Sequence, residues 1–369
     1  KKLNLLSTSS KLQKPGMAGS GKTTLAARLG TFLASSQAKA GASSAGAGAG
    51  GGGSASAAAA AGGPGSRPVR TPNPYMVNLD PAVLSTPYEP SIDIRDTVHY
   101  KNVMAEYKLG PNGGILTCLN LFATRFDQVV TLLEKRRNGG QAGESSEPSS
   151  RPISHAIIDT PGQIEIFAWS ASGSIMTDAL AASLPTCVLF VMDSPRCSSP
   201  PTALVANLLQ AASILYRTRL PLLLAFNKAD VGGAEAVASW VEDWEKLDEA
   251  LSKEKAYSAS LARSLSLVLD EFTNALPHVC VSAATGQGMG ELVQKLEECR
   301  ERYYEEYRPG VEAARRAREG AEAARQAREL EKLSLDGGIG EEGVGGLERA
   351  TRAVKGGGGG EGEEGSGGA

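Results

Sequence analysis

The stretch Gly16-Met-Ala-Gly-Ser-Gly-Lys-Thr23 decides the fold, because it matches the P-loop pattern of a glycine, four residues and Gly-Lys-Thr. Glycines let the backbone wrap its N–H groups around a phosphate, and the helix predicted to start at Lys22 adds partial positive charge. We expect Lys22 to neutralise the β- and γ-phosphates and the Thr23 hydroxyl to bind Mg²⁺. The alternative is a glycine-rich turn that arose by chance. The residues predicted to bind phosphate are Gly16, Gly19, Ser20, Gly21, Lys22, Thr23 and Thr24.

The segment before this motif does not read as the buried strand that should precede a P-loop. Residues Ser7 to Pro15 are polar, and the apolar run nearby, Leu3 to Leu6, is short. Two interpretations stay open: Leu3 to Leu6 is a strand remnant displaced by an insertion, or the N-terminal sequence is wrong. The expected first strand is therefore predicted to be absent or damaged, and residues 1–15 are left outside the domain.

Beyond the P-loop, apolar runs that suit buried parallel strands alternate with longer helical patterns. This alternation predicts an α/β fold with a doubly wound, mostly parallel sheet. Strands are predicted over Tyr75 to Asn78, His155 to Asp159, Thr186 to Asp193, Leu222 to Asn227 and His278 to Ser282. Helices are predicted over Lys22 to Leu33, Leu119 to Arg136, Thr202 to Arg217, Glu235 to Ser252, Ser258 to Ala275 and Gly290 to Tyr307.

Three segments have compositions that cannot bury enough apolar surface to offset their ordering entropy. They cover about residues 35–72, which are almost entirely Ala, Gly and Ser, residues 138–152, and the Gly/Glu-rich end over 336–369. We predict disordered insertions and a disordered tail around one domain over residues 16–308. Residues 309–335 carry a charged repeat without an apolar stripe, which predicts a solvated helix.

The charge balance and the cysteine content limit the function classes. Thirty-eight basic and forty-one acidic residues give a formal net charge of −3, which argues against non-specific binding to nucleic acid or to anionic membranes. No apolar run approaches the roughly 20 residues of a membrane-spanning helix. Five scattered cysteines fit reduced thiols in the cytosol or nucleus, and three scattered histidines argue against a zinc site.

Asn227-Lys-Ala-Asp230 follows an apolar run and matches the guanine-reading motif Asn-Lys-x-Asp. The carboxylate of Asp230 can accept from both N1–H and N2–H of guanine, a bidentate contact that adenine cannot supply. Lys228 is expected to lie along the base, and Asn227 to tie neighbouring loops together. Val281-Ser-Ala-Ala284 resembles the next base-contacting loop, so Ser282 and Ala283 are also predicted to bind the nucleotide. The alternative for each motif is a turn at a strand end.

Asp159-Thr-Pro-Gly-Gln163 closes another apolar strand, as a switch II motif does. Its Asp159 is predicted to hold Mg²⁺ through water and its Gly162 to sense the γ-phosphate. Asp80, in Asn78-Leu-Asp-Pro-Ala82, also ends a predicted strand and places a second carboxylate near the metal and the attacking water. The other interpretation of Asp80 is a helix N-cap or a turn residue.

Gly110-Pro-Asn112, flanked by Asp93 to Thr97 and Gly113-Gly-Ile115, resembles the motif of the GPN-loop GTPases. From composition alone these three residues would be a turn. Two long stretches, Asn78 to Gln128 and Asp159 to Lys228, are similar to the eukaryotic paralogue-one branch of that family, the XPA-binding-protein type. The resemblance covers most of the chain between Gly16 and Arg308.

The resemblance implies a P-loop NTPase of the dimer-forming class that binds and hydrolyses GTP to GDP with Mg²⁺. It implies a homodimer, or a heterodimer with a paralogue, in which the Gly-Pro-Asn loop of one subunit reaches the γ-phosphate of the other. It also implies a role in RNA polymerase II assembly and nuclear import, with shuttling between cytoplasm and nucleus. The residues placed at the reacting phosphate are Gly110, Pro111, Asn112, Asp80, Gln163 and Glu165, with Thr23 and Asp159 at Mg²⁺.

Two other function classes stay open from the sequence. A disturbed N-terminus would favour a non-hydrolysing, nucleotide-dependent scaffold or assembly chaperone. An ATPase of the related class that includes metal-insertion and septum-positioning proteins shares the phosphate machinery, but Asp230 disfavours it.

Overall fold

The computed structural model describes residues 3–9, 19–44, 74–137, 153–254, 257–274 and 276–313, together with scattered positions up to 328. Gly16, most of the first predicted insertion, all of the second, and the predicted disordered tail lie outside the described residues. The chain divides into two units, Lys1 to Pro309 and Gly310 to Ala369. The described positions of the second unit are helical. The first unit holds the sheet.

Within the described residues, one sheet of seven parallel strands has the order β3-β2-β4-β1-β5-β6-β7. The predicted doubly wound parallel sheet is thereby confirmed. The strands are β1 Leu3–Ser9, β2 Tyr75–Asn78, β3 Ile92–Asp93, β4 His155–Asp159, β5 Thr186–Asp193, β6 Leu222–Asn227 and β7 His278–Cys280.

Helices connect these strands and cover both faces of the sheet. The helices are α1 Lys22–Ser44, α2 Ile94–Thr97, α3 Tyr100–Glu106, α4 Pro111–Ala123, α5 Phe126–Arg137, α6 Ile164–Phe167, α7 Ala171–Ser183, α8 Ser194–Ser198, α9 Thr202–Thr218, α10 Ala234–Glu242, α11 Trp244–Ser252, α12 Tyr257–Asn274 and α13 Met289–Arg302. A π-helical turn, Tyr303–Tyr307, follows α13 directly.

The first strand, predicted to be absent or damaged, is present at the centre of the sheet. Strand β1 lies between β4 and β5, with Leu5 opposite Ile157 on one side and Cys187 on the other. The prediction was wrong because parallel pairing uses backbone groups, so the strand continues through the polar residues Ser7 to Ser9. Of the two interpretations, a strand at Leu3 to Leu6 is the one that the structure favours. The sheet also extends the domain upstream of residue 16.

Alternate residues of the central strands feed two separate cores. On β5, the side chains of Val188, Phe190 and Met192 belong to the larger core, and those of Cys187, Leu189 and Val191 to the smaller one. Helices α1 and α13 cover the smaller core, whereas α4, α5, α7 and α9 to α12 contribute to the larger one. Because both faces are covered, the strands read as continuous apolar runs in the sequence.

Several helix boundaries differ from the prediction for local reasons. Helix α1 runs on to Ser44, beyond the predicted start of disorder at Ser35, because alanine and serine continue its backbone ladder. The predicted helix over 119–136 is two helices, α4 and α5, and the one over 235–252 is divided at Asp243, whose carboxylate accepts from Glu245 N and caps α11. Strand β7 ends two residues early at Cys280. Helix α7 was not predicted.

Candidate nucleotide-binding site

The phosphate end of the candidate site is the start of α1. Gly21 has a φ of +80°, a conformation that favours glycine, and a Cβ there would lie 2.7 Å from Asn227 Nδ2. The turn therefore requires glycine on two grounds. Ser20 and Lys22 are buried, Thr23 is half-buried and Thr24 is exposed. Gly16, the first residue of the predicted loop, is not among the described residues.

Lys22 and Asp159 form a buried ion pair at the carboxyl end of the central strands. The Lys22 Nζ atom donates to Asp159 Oδ1 at 3.2 Å, and the two residues are 7% and 1% exposed. The P-loop and the switch II motif, 137 positions apart, are thus brought together as predicted. At this burial an unpaired charge would be costly, so each group stabilises the other.

Tyr88 also contacts Asp159, and sequence reasoning missed it. The Tyr88 hydroxyl donates to Asp159 Oδ2 at 3.1 Å. Burial, followed by the negative charge of Asp159, raises the pKa of the Tyr88 phenol, so the hydroxyl stays protonated and donates. A tyrosine in a Pro-rich loop carries no recognisable motif, so the sequence offered no signal for this role.

The guanine-reading end is built on the loops after β6 and β7. Asp230 is exposed, and its Oδ1 atom accepts from the buried Ser282 hydroxyl at 2.6 Å. The same hydroxyl accepts from Thr285 N at 3.1 Å, which fixes its orientation. Ser282, predicted as a base contact, therefore acts on Asp230. A carboxylate held in this way can present its remaining lone pairs to the two N–H donors of guanine.

Asn227 joins the two ends of the site. Its Nδ2 donates to Ser20 O at 2.8 Å, and its Oδ1 accepts from Ala283 N at 3.0 Å. Its carbonyl oxygen accepts from the Ser194 hydroxyl at 2.7 Å. The N–H of Ala283, a residue predicted to bind the nucleotide, is here bonded to Asn227. The structure thus places Asn227 as the tie between loops that the motif predicted.

Lys228 has its ammonium group fixed by a carboxylate. It adopts a φ of +67°, and its Nζ lies 2.7 Å from Asp193 Oδ2, which also lies 3.5 Å from Arg196 Nε. Asp193 ends β5, next to β6 in the sheet. With the head group held, the aliphatic stem of Lys228 is left as the part that a planar base would contact.

Asp80 makes a turn, as its alternative interpretation predicted. Its Oδ1 accepts from Ala82 N at 3.0 Å, and its own N–H donates to Asn78 Oδ1 at 3.1 Å. Asp80 is half-buried directly after β2, the neighbour of β4 in the sheet. The turn accounts for the residue type, and the catalytic role that the resemblance implies for Asp80 stays a prediction.

Asp93 and Arg95 anchor the loop that follows Asp80. Arg95 donates through Nη2 to Asp93 Oδ2 at 2.6 Å and through Nη1 to the carbonyls of Val83 and Leu84. Burial alone would raise the pKa of Asp93, but hydrogen bonds from Arg95 and Asn78 outweigh it and hold that pKa below its ordinary value. Asp93 therefore stays ionised and keeps Arg95 in place.

The Gly-Pro-Asn segment begins α4 and is exposed. Gly110 is the N-cap and Pro111 the first helical residue, a position that suits proline because no N–H is needed there. The segment is a helix start, so a simple turn was the wrong alternative. The Tyr100 hydroxyl donates to Pro111 O at 3.2 Å. Within the described chain, the exposed Asn112 side chain makes no hydrogen bond to Lys22 or Asp159.

The remaining switch II residues lie between Asp159 and α7. Gly162 and Gln163 are half-buried, and Glu165 is exposed in the first turn of α6. Gly173 fixes the next turn: a Cβ there would lie 1.8 Å from the carbonyl oxygen of Phe167. The end of α6 is therefore positioned by close packing of Gly173 against the Phe167 carbonyl.

The donor set fits Mg²⁺ better than a transition metal. The described residues contain no cluster of three or more His, Cys, Asp or Glu side chains. Thr23 and Asp159 offer hard oxygen atoms, and Mg²⁺ is ordinarily held by one or two such groups together with phosphates and water. All five cysteines are free thiols, as expected. None of the described helices is sufficiently long and apolar to span a bilayer.

Comparison with known proteins places this geometry in a family. Residues 66–302 match a family model described as a conserved hypothetical ATP binding protein. GPN-loop GTPase 1 of Schizosaccharomyces pombe is 40% identical, over 87% of this chain and 77% of the relative. GPN-loop GTPase 1 of Saccharomyces cerevisiae is 39% identical, over 89% of this chain and 75% of the relative.

Two further matches bear on length and fold. GPN-loop GTPase QQT2 of Arabidopsis thaliana is 50% identical, but the match spans 64% of this chain and 59% of that relative. The crystal structure of PAB0955, a GTPase in apo form from Pyrococcus abyssi, superposes with a TM-score of 0.57 at 22% identity. It covers 80% of this chain and 96% of that one, which supports the fold.

Proposed function

We propose that this chain, which belongs to the GPN-loop GTPase family, uses its GTPase cycle to assist RNA polymerase II assembly and nuclear import. The observation that carries the nucleotide assignment is Asn227, which bonds to the P-loop at Ser20 and to the base loop at Ala283. A phosphate site and a base site are therefore held in one fixed relation, as one nucleotide requires.

Guanine is the base that the site favours, although the matching family model is described by ATP binding. Asp230 is oriented by Ser282 and offers a carboxylate to two N–H donors that guanine has and adenine lacks. Adenine would leave this carboxylate opposite an acceptor nitrogen and a C–H. The relatives named GPN-loop GTPase agree with guanine.

For hydrolysis, water attacks the γ-phosphorus, the bond to the β–γ bridging oxygen breaks, and GDP and phosphate leave. In our proposal Lys22 offsets the charge on the phosphates, while Gln163, Glu165 and Asp80 orient or activate the water. Thr23 and Asp159 would hold Mg²⁺, which supplies further charge stabilisation. The ion pair between Lys22 and Asp159 supports this proposal, because it brings the P-loop lysine and the switch II carboxylate together.

We further propose that the chain acts as a dimer, with itself or with a paralogue, in which Asn112 serves the partner's nucleotide. The exposure of Gly110 to Asn112 at the start of α4 supports a contact outside the subunit. A donor aimed at developing charge is worth about 10²–10³ in rate, so Asn112→Ala should lower kcat by about that factor with little change in GTP affinity.

Mixed dimers test the action in trans. A Lys22→Ala subunit binds nucleotide poorly but still offers an intact Asn112, so mixing it with Asn112→Ala should restore part of the hydrolysis. Subunit exchange is verified by labelling. If subunits exchange and no activity returns, or if a monomer hydrolyses at the dimer's rate, Asn112 does not act in trans.

The cellular role is tested by replacement. In cells whose own copy is replaced by Lys22→Ala, we expect RNA polymerase II subunits to accumulate in the cytoplasm, whereas the unmodified chain restores their nuclear location. Unchanged location and assembly of the polymerase would contradict this role. A non-hydrolysing, nucleotide-dependent scaffold or assembly chaperone was the alternative if a disturbed N-terminus prevented phosphate binding, and the presence of β1 in the sheet disfavours it.

A further inference from the structure

Tyr88 reaches the phosphate end of the candidate site from outside the P-loop and the switch II motif. The loop joins β2 to β3, and the Tyr88 ring packs against the smaller core. Its hydroxyl donates to Asp159 Oδ2 at 3.1 Å. The ring is thus held by apolar packing while the hydroxyl touches a carboxylate that is 1% exposed.

The loop itself is fixed from several sides. Arg95 donates to the carbonyls of Val83 at 3.2 Å and Leu84 at 3.1 Å. The Thr86 hydroxyl donates to Tyr88 O at 2.8 Å, which fixes the backbone of Tyr88. Near the loop's end, Ser91 N donates to Met76 O at 2.7 Å. Because the loop is fixed, the Tyr88 hydroxyl restrains the Asp159 carboxylate.

Two donors fix the Asp159 carboxylate. Lys22 donates to Oδ1 at 3.2 Å and Tyr88 to Oδ2 at 3.1 Å, so rotation of the carboxylate would break both contacts. An ionised carboxylate offers about four lone-pair sites, so two remain for a metal-bound water. Tyr88 therefore has no need to leave when a metal binds.

We propose that Tyr88 is a positioning residue for Asp159, and that its hydroxyl sets how strongly the site retains Mg²⁺ beside a guanine nucleotide. This inference rests on the proposed function, since it needs a guanine nucleotide and Mg²⁺ at this site. It goes beyond that function by assigning metal retention to a residue outside the P-loop and the switch II motif.

The test uses the full chain loaded with a fluorescent GDP analogue, and follows release of the analogue across buffered free Mg²⁺ concentrations. The hydroxyl bonds to a charged group, so Tyr88→Phe should raise the Mg²⁺ concentration for half-maximal retention about tenfold. In excess EDTA, which removes Mg²⁺, Tyr88→Phe should release the analogue at the same rate as the unmodified chain. The phenyl ring keeps the packing, and thermal unfolding verifies that the variant is folded.

A double-mutant cycle shows whether Tyr88 acts through Asp159. Asp159→Asn alone should raise the Mg²⁺ midpoint, and adding Tyr88→Phe should change it no further. Tyr303→Phe is the matched control, because it removes a buried hydroxyl that donates to the carbonyl of Ala181, away from the site. It should leave the Mg²⁺ midpoint unchanged.

Several results would overturn the inference. The Mg²⁺ midpoint of Tyr88→Phe could equal that of the unmodified chain, or it could be lower, which would mean that the hydroxyl competes with the metal. Tyr88→Phe could also raise the midpoint by the same factor when Asp159 is already asparagine, which would mean that Tyr88 does not act through Asp159. Faster release of the analogue in EDTA and in Mg²⁺ alike would mean general loosening. If the unmodified chain shows no Mg²⁺-dependent GDP binding, the proposed function fails together with this inference. If the unmodified chain does bind GDP in a Mg²⁺-dependent way and Tyr88→Phe behaves identically, this inference alone fails.

Discussion

Replacing Asn227 by alanine should loosen the connection between the phosphate end and the base end of the site. The substitution removes the donor to Ser20 O at 2.8 Å and the acceptor from Ala283 N at 3.0 Å. Asn227 is 1% exposed, so water cannot readily replace both contacts. Each lost hydrogen bond to a buried backbone group costs about 1–3 kcal/mol, so we expect Asn227→Ala to lower the free energy of unfolding by about 3 kcal/mol.

Thermal unfolding of the nucleotide-free protein measures this loss. For a domain of about 150–250 residues, 1 kcal/mol corresponds to about 2–4 °C, so the Tm should fall by about 6–12 °C. Asn102→Ala is the matched control, because Asn102 is exposed on α3 and its loss should shift stability by less than about 0.5 kcal/mol. If the two variants unfold at the same temperature, Asn227 does not join the two loops in the way that the structure indicates.

Four further substitutions separate nucleotide binding, hydrolysis, folding and the pH dependence of stability. Lys22→Ala should abolish most nucleotide affinity, whereas Gln163→Leu should slow hydrolysis and leave affinity nearly intact; equal losses of affinity in titrations would show that these roles are misassigned. Gly173→Ala should destabilise the fold by more than about 3 kcal/mol in denaturant unfolding, because its Cβ would meet a backbone carbonyl at 1.8 Å, and a small effect would mean that α6 shifts freely. The pKa of Asp93 is lowered on folding, so its contribution is present above its unfolded pKa of about 4 and is lost as the pH falls through the lower folded pKa. Asp93→Asn should therefore be less stable than the unmodified chain at pH 7, and the difference in free energy of unfolding should shrink as the pH falls to 3. A difference that does not change with pH would contradict this assignment.

The sheet was predictable from the sequence wherever a strand is buried on both faces. The side chains of Val188 to Met192 point alternately into the two cores. All of them are apolar, so the strand is recognisable as a continuous apolar run even though polar and apolar residues do not alternate. Strand β1 was misjudged because half of it is polar, and pairing through the backbone leaves no trace in side-chain composition. Strand β3 has two residues and is too short to give a signal.

The helix breaks were harder to predict for a different reason. At Asp243 the chain leaves one helix and starts another within a residue, and the propensities on both sides continue to favour helix. Only the capping bond from Glu245 N to the Asp243 carboxylate marks the break. In the same way, Pro111 looks like a turn residue until its place at the first position of α4 is known.

The candidate site was predictable where motifs bring their own chemistry. Lys22 belongs to the P-loop, Asp159 and Asn227 are the last residues of β4 and β6, and Asp230 follows β6. The carboxyl ends of parallel strands meet at one edge of the sheet. Contacts made by single residues outside the motifs could not be predicted. Tyr88 lies 71 positions from Asp159, and no spacing rule connects them.

The central claim, that this site reads guanine, is tested most directly by competition titration of the purified chain with GTP and ATP in Mg²⁺. Hydrogen bonds to a charged group are worth about 1.5–3 kcal/mol each, so GTP should bind at least about tenfold more tightly than ATP. Asp230→Asn should weaken GTP and improve binding of xanthosine triphosphate, whose 2-oxo group accepts where guanine donates. Equal affinities for GTP and ATP in the unmodified chain, or no effect of Asp230→Asn on the preference, would contradict the assignment.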